Sequence, residues 1–415
     1  MNTIAFYTLY DDNNQRPCCA GIKIDDKVTI YDLFRNTGKP IAPIYKSIRN
    51  IKDFILKVVN THKIITTDFK RSLKTYDILL DQRKINVYDL NLEKQLASVR
   101  STGNQAKDHV IVRRILDKMC KTDCKSYQKL LADASVVYED IERRGLIVND
   151  TLLKSQWSTH TYSGRSKSTD FNIQGHSDSD IISTPAYTIK PVLLHFDWIA
   201  ADIRVAALMS GDEKLLASFK ESDPYTYMMQ LVNGMSKDKL TRSECKLALL
   251  KAINSMDLSS VVLGDVYPDL GKWIHKCEKV TTDQDGVLHT ILGRPFKMSQ
   301  SKNALAMLNG VMQGSVVHAM QSVIRQVWEK LSQQFVAEIH DSIIMCCPQD
   351  NMIIRSTINI VTEIMLHPFK GLLDSNPAFP LKVSIGKKWK QWQLLETHRE
   401  GGVIHARKAD ETAAA

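Results

Sequence analysis

Apolar and polar positions divide the chain into two regions of mixed strand and helix pattern, joined by a polar and helical stretch. Near the start, Ile4, Phe6 and Thr8 keep the two-residue period of a strand. Cys19, Gly21, Lys23 and Val28–Tyr31 resume it after turn residues at Asp11–Asn14. Residues 45–59 set Ile48, Ile51, Phe54, Ile55 and Val58 on one helical stripe. A β-branched run at Lys63–Thr66, a helical pattern over 70–81 and a strand-like Ile85–Tyr88 follow. Strands alternating with helices predict a small α/β unit of about 115 residues. Polar residues Ser101–Asp108 then lead into helices over 109–120 and 126–144.

Residues 151–190 lose apolar periodicity and are rich in Ser, Thr and Asp, which predicts an extended, functional loop. A second α/β region runs from Pro191 to about residue 395. Within it, Leu305, Leu308, Met312, Val316, Met320, Val323, Val327 and Leu331 form the core stripe of a helix over Asn303–Leu331. Two apolar runs flank His340-Asp341, which predicts a hairpin with its acid at the apex. Lys408–Ala415 reads as a frayed tail, and no internal repeat is visible.

Composition changes this picture little. The 415 residues are 43% hydrophobic and 24% charged, which excludes wholesale disorder. No apolar run of about 18 residues predicts a membrane span. The N-terminal residues show no secretory pattern, so the expected setting is reducing and cytoplasmic, and not secreted. Charge matters more. The net charge is +9, residues 81–130 hold eleven Lys/Arg against six Asp/Glu, and Lys382, Lys387, Lys388 and Lys390 have no acid among them. Such clusters suit a polyanion, because each neutralised phosphate releases counterions, although a solvated basic surface reads the same way. Of the eight cysteines, only Cys120 and Cys124 have ligand-like spacing, with His109 upstream; this falls short of a four-ligand zinc set.

Three constellations can carry chemistry. Val192-Leu-Leu-His-Phe-Asp197 is an apolar strand ending in an acid, followed at once by a helix that holds Asp202 and Arg204. Ser210-Gly-Asp-Glu213 reads as a capping box for the next helix. Asp341, 144 positions after Asp197, could face it across neighbouring strands, and two such acids can hold two Mg²⁺ ions for in-line phosphoryl displacement. Asn309 and Gln313 sit at i and i+4 beside Gly310 and Gly314. Amides on one face flanked by glycines let a nucleic-acid backbone approach; helix–helix packing through small residues is the plainer reading.

Together these residues resemble the A-family DNA polymerases. Asp197 to Arg204 with Leu208–Leu216 is similar to motif A, and Ile339-His-Asp341 to motif C. Ser163-Gly164-Arg165 with Ser168–Gln174 resembles the Thr-Gly-Arg segment, and Asn309–Gly314 the helix before motif C. Tyr267–Leu270 and Gly286–Arg294 resemble the connecting helix and hairpin of the palm, and Ser384–Trp389 the final strand. The blocks keep the family's order across residues 163–389.

The resemblance implies that Asp197 and Asp341 are catalytic and ligate two Mg²⁺ ions, with Mn²⁺ an alternative. Asp202 would read the sugar where the family has Glu. Arg165, Asn172, Gln174, Arg294, Asn309, Gln313 and His340 would line the primer–template DNA. Arg242, Lys246 and Lys251 would bind deoxynucleoside triphosphates. Two registers stay open for motif B, one on Arg242 and Lys246, the other on Lys246 and Lys251. In both, the family's aromatic and Tyr-Gly positions are absent. Sixteen residues separate Lys251 from Tyr267, so the outer fingers look truncated. Val137–Asn149 resembles the entry to the thumb, yet Arg165 follows only sixteen residues later. The expected consequence is weak processivity, with a protein partner replacing the thumb. In the N-terminal unit the family's Asp-x-Glu reads Tyr7-Thr8-Leu9, leaving Asp89 and Asp68 as candidate surviving acids.

The expected fold is α/β (α+β). Residues 1–115 form a degenerate, ribonuclease-H-like 3′–5′ exonuclease-type domain, and 116–162 a helical linker and vestigial thumb. Residues 163–400 form a palm with an antiparallel sheet and reduced helical fingers, and 401–415 a tail. The expected activity is template-directed DNA synthesis by a compact, virus- or phage-like enzyme. A catalytically reduced, DNA-binding homologue and a polymerase with relaxed sugar selection are the alternatives.

Overall fold

The computed structural model describes residues 3–10, 17–25, 27–33, 44–59, 62–76, 78, 80, 85, 87–90, 105–120, 124–159, 161–219, 224–235, 239–255, 263–374, 377–399 and 402–405. The turn at Asp11–Asn14, residues 101–104, the tail Lys408–Ala415 and the side chains of His109 and Cys120 lie outside these. The chain is mixed α/β and divides into two compact units, Met1–Asp140 and Ile141–Ala415. The division falls inside the helix that spans residues 126–144. Among the described residues no helix is long and apolar enough to cross a membrane, and seven cysteines are free thiols.

The first unit is built on a five-stranded sheet. β1 (Thr3–Tyr10), β2 (Pro17–Ile24) and β3 (Lys27–Asp32) form an antiparallel meander. β4 (Lys63–Thr66) and β5 (Val87–Asp89) then add in parallel on the other side of β1, giving the order β3-β2-β1-β4-β5. The parallel step from β3 to β4 needs a crossover, and α1 (Ile44–Val58) supplies it, burying Ile51, Ile55 and Val58. β1 is buried along nearly its whole length, as a strand covered on both faces must be. α2 (Phe69–Thr75) stops short of the helical pattern read over 70–81. α3 (Gln105–Cys120) sets Val112, Leu116 and Met119 against Ala5, Tyr7, Leu9, Cys19 and Ile65. A Cβ at Gly21 would meet the side chains of Val112 and Leu116, so glycine is what lets α3 lie on β2.

The acids proposed for this unit do structural work. Asp89 is buried and accepts the backbone N–H groups of Asp68 at 2.8 Å and Phe69 at 2.7 Å. Asp68, left-handed at φ 75°, caps α2 by accepting from Arg71. Tyr7 and Leu9 are core residues, and the Thr8 hydroxyl meets the Tyr76 hydroxyl at 2.8 Å.

The second unit follows α4 (Ser126–Arg144), whose last residues open it. β6 (Leu146–Val148) comes first, and the stretch 151–190 expected to be an extended loop holds further short strands: β7 (Thr151–Leu153), β8 (Ser155–Ser158), β9 (Lys167–Asp170) and β10 (Ile182–Ser183). These pair as β10-β6-β7 and β8-β9, and no helix occurs between Arg144 and Ala201 among the described residues. The main sheet is antiparallel and six-stranded. It comprises β11 (Pro191–Trp198), β14 (Phe335–Ile339), β15 (Ser342–Pro348), β16 (Leu381–Gly386), β17 (Gln393–Arg399) and β18 (Gly402–His405), in the order β14-β15-β11-β16-β17-β18. Residues assigned to a tail thus begin with an edge strand. α12 (Asn351–Leu366) covers one face, where the Trp198 indole donates to the Met365 carbonyl at 2.9 Å. Strand alternation then sends Leu193, His195 and Asp197 to the opposite face.

Around the sheet stand α5 (Ala201–Ser210), α6 (Glu213–Ser218), α7 (Pro224–Met235), α8 (Arg242–Ser255), α9 (Leu263–Val266) and α10 (Pro268–Thr281). A hairpin of β12 (Val287–His289) and β13 (Pro295–Lys297) leads to α11 (Ala304–Leu331). α11 is buried from Gly310 to Arg325 at every position but the half-buried Gln313, as the central helix of a unit is. The cap of α6 is Asp212 itself, not a Ser210 capping box: one carboxylate oxygen accepts from Leu215 at 2.9 Å. Its other oxygen accepts from Asp269 at 3.0 Å and Leu270 at 3.2 Å, so one side chain pins two helix starts together.

Candidate active site

The two aspartates converge at one end of the main sheet. Asp197 is the penultimate residue of β11, paired with Ser342 on β15 and Lys382 on β16. Ile339 pairs with Ser342, so His340 and Asp341 form a two-residue turn between β14 and β15, with His340 left-handed at φ 57°. The Asp341 carbonyl accepts the Trp198 backbone N–H at 3.3 Å, which fixes the turn beside the end of β11. After β11 the chain reverses through Ala200, φ 57°, and starts α5, whose first turn holds Asp202.

Electrostatics report the crowding. Burial, then the charge of Asp341, pushes the Asp197 carboxyl up to about 6, against a smaller opposing pull from Lys382. Asp202 is raised by burial and by Asp341, with Arg165 opposing. Asp341 is raised by burial, while its own backbone N–H, Arg165 and His340 draw it down. Three carboxylates and the Arg165 guanidinium therefore share one half-buried site. Its donors are carboxylate oxygens, the ligand type that Mg²⁺ or Mn²⁺ takes, and the cost of holding like charges together is what a cation removes.

Arg165 is held by the chain around it. Gly164 is left-handed at φ 85°, and the Thr161 hydroxyl donates to the Arg165 carbonyl at 2.8 Å. Arg294, read from sequence as a nucleic-acid contact, donates to the carbonyls of Ser163 at 2.8 Å and Tyr162 at 3.1 Å, and stacks on Phe296. It buttresses the Arg165 segment. Gln174 donates to the Ser166 hydroxyl at 2.9 Å and the Glu338 carbonyl at 3.3 Å, and accepts from Ser168 at 2.9 Å. Asn172 accepts from the Ser168 hydroxyl and from Gly175. These two amides shape the loop in the structure.

Asn309 and Gln313 are half-buried on a stretch of α11 that is otherwise buried, and Asn309 Oδ1 is buried without a partner. The neighbouring glycines answer to protein packing. A Cβ at Gly310 would lie 2.5 Å from Tyr162 and 2.6 Å from Phe296; one at Gly314 would lie 3.1 Å from Thr290. Their room is filled by the Tyr162–Phe296 edge contact, not by a nucleic-acid backbone.

α8 separates the candidate triphosphate ligands. Arg242 and Lys246 are exposed, one turn apart, with the Arg242 guanidinium 5.2 Å and the Lys246 ammonium 5.8 Å from the Tyr225 ring centroid. Lys251 is exposed nine residues after Arg242, about 180° around the helix. The three cations cannot serve one ligand face, and Tyr225 on α7 is an aromatic neighbour that reading α8 alone misses. Lys382 was read only as part of a basic cluster, since strand register alone sets it opposite Asp197.

One group of three metal-ligand side chains has ligand atoms within 4.8 Å of one another among the described residues: His176, Asp178 and Asp180. His176 contacts Asp180 at 3.0 Å, and Asp180 accepts from Asn149 at 2.6 Å. Trp389 donates to the His176 and Asp180 carbonyls at 3.1 and 2.8 Å. This knot holds the Trp389 turn.

The class these features define is a mixed α/β protein with an acidic centre at the end of an antiparallel sheet. No protein-family profile matches the chain, and no curated protein matches it. Among solved structures it is similar to the POL domain of Pol1 from M. smegmatis, described in complex with DNA primer-template and dNTP. The identity is 15% and the TM-score 0.47, over 83% of this chain; the chain spans 64% of that one.

Proposed function

We propose that the chain is a template-directed DNA polymerase that adds deoxynucleotides to a primer 3′ end. The observation that carries this reading is the meeting of Asp197 and Asp341, 144 positions apart, at one sheet end with Asp202 and Arg165. Two Mg²⁺ ions held by Asp197 and Asp341 would activate the 3′-hydroxyl and neutralise charge on the departing pyrophosphate. The chain's own groups do the positioning. Arg242 and Lys246, over Tyr225, hold the triphosphate; this favours the motif B register that uses this pair. The Asn309 and Gln313 amides, with Asn309 Oδ1 unpartnered, face the minor groove, where donors and acceptors are read. Arg165 orients the acids, Asp202 stands at the sugar, and His340 lies at the primer end. Catalysis is then mostly positioning and charge stabilisation.

In this reading residues 163–400 are palm and reduced fingers. The first unit, with strand order β3-β2-β1-β4-β5, is an exonuclease-type domain of a compact, virus-like member. Its Asp89 and Asp68 cap α2, which makes it a scaffold without nuclease activity. The short strands between Arg144 and Arg165 stand where a thumb would, so a protein partner is expected to supply grip.

Primer extension with Mg²⁺ tests the proposal. Wild type extends a primed template; Asp197→Ala and Asp341→Ala abolish extension while binding primer–template within a few-fold of wild type. A wild type that incorporates nothing across templates and salts refutes it. A DNA-binding subunit without catalysis is the second reading, favoured by the missing aromatic positions of α8.

A further inference from the structure

We propose that the turn Lys387–Trp392 grips the primer strand several phosphates behind its 3′ end, with the stacked rings of His195 and Trp392 as the bed beneath it. This rests on the polymerase reading and gives the end of the Ser384–Trp389 block, with the residues after it, a contact that the motif resemblance did not assign.

The turn is rigid and cationic. Lys387, Lys388 and Lys390 are exposed and make no ion pair among the described residues. Trp389 between them is fully buried, its two N–H groups held by the His176 and Asp180 carbonyls. A Cβ at Gly386 would lie 2.5 Å from the Gln391 carbonyl and 2.9 Å from Trp392, so glycine lets the turn fold back on itself. Three ammonium groups are thus presented from a fixed backbone, with less order to impose when a polyanion docks.

The turn lies over the face that carries the acids. Trp392 stacks on His195 with ring centroids 5.1 Å apart and an interplanar angle of 14°. His195 and Asp197 are i and i+2 on β11 and share a sheet face. β16 runs antiparallel to β11, with Lys382 opposite Asp197 and Gly386 opposite Leu193. The turn therefore starts four strand residues behind Asp197, about 13 Å away. A duplex advances about 3.4 Å per step along each strand, so that distance spans roughly four steps. Lys382 stands at the reaction end of the track and Lys387–Lys390 at the other. Residues 382–390 contain no acid, a charge pattern that suits a strand of phosphates.

The test is equilibrium binding of primer–template by the full chain across 50–200 mM salt. It compares wild type, the triple variant Lys387→Ala, Lys388→Ala, Lys390→Ala, and the corresponding triple Arg variant. Three lost phosphate contacts lower the slope of log affinity against log salt by about 2.7, which changes the wild-type advantage about forty-fold over that range. The Arg variant keeps the wild-type slope, and the single variant Lys388→Ala loses about 0.9. Neutral methylphosphonate linkages at the third to fifth primer phosphates weaken wild type but leave the triple variant nearly unaffected. Equal slopes for wild type and triple variant, or equal sensitivity to the methylphosphonates, overturn the proposal while extension by wild type keeps the polymerase reading. No primer–template binding by wild type overturns both.

Discussion

Replacing Asp197 by Asn should stabilise the metal-free protein at neutral pH. In the fold the Asp197 carboxyl is pushed up to about 6 by burial and by Asp341, against 3.8 for the free side chain. The folded state therefore binds the proton more tightly than the unfolded state. Protons are taken up on folding between about pH 4 and 6, and stability falls as pH rises through that window. Above it, the ionised carboxylate costs at most about 3 kcal/mol, or about 1–2 kcal/mol after allowing for solvent at a half-open site. Asp197→Asn removes the charge in a side chain of the same shape. In chelator at pH 8 its melting temperature should exceed wild type by roughly 3–6 °C, and at pH 4 the two should coincide. Tryptophan fluorescence isolates the right unit, because all six tryptophans lie within Ile141–Ala415. Mg²⁺ should raise the wild-type melting temperature with concentration and move Asp197→Asn much less, since the variant loses one of the two proposed metal ligands. A variant less stable than wild type at pH 8, or one that Mg²⁺ stabilises equally, refutes the reasoning.

The other expectations are simpler. Lys246→Ala should raise the KM for nucleotide about 10- to 100-fold through one lost charge-assisted contact, while Lys251→Ala stays within about two-fold; the opposite ranking in steady-state kinetics selects the other register of α8. Asp212→Ala uncaps α6 and the start of α10 together and should cost about 2–4 kcal/mol in urea unfolding, with Asp212→Asn recovering part of it. Gly310→Ala forces a methyl into Tyr162 and Phe296 and should cost about 1–3 kcal/mol; Gly314→Ala, with its nearest neighbour at 3.1 Å, should cost less in the same melts.

What could be read from the sequence follows from the range of each signal. The two-residue period of Ile4 and Phe6 and the stripe from Leu305 to Leu331 depend on near neighbours alone, and both gave their elements. The apex of the Phe335–Pro348 hairpin was legible because apolar runs bracket a short polar break, and that break is where Asp341 stands. The short strands β6 to β10 were not legible. Ser, Thr and Asp carry little apolar period, and β8 and β9 pair through Ser155 and Asp170, polar residues whose register no pattern announces.

The protein contacts that the sequence did not announce share one cause. Arg294, Asn172, Gln174 and Gly310 were read toward an external ligand because their residue types suit one. In the fold, each meets a protein neighbour. Arg294 finds carbonyls 131 and 132 positions away, and Gly310 finds two aromatic rings from other segments. A hydrogen bond from a charged donor contributes about 1.5–3 kcal/mol, less where it is exposed, so the carbonyls of Ser163 and Tyr162 give Arg294 a structural role of its own. The same argument applied to α8 restores what its own sequence lacks. In the register on Arg242 and Lys246 the family's aromatic and tyrosine positions fall on Leu250 and Asn254, yet the Tyr225 ring from the preceding helix lies near both Arg242 and Lys246. An aromatic floor needs only to be near in space, and packing of α7 on α8 is a route to it that motif spacing along one helix cannot register.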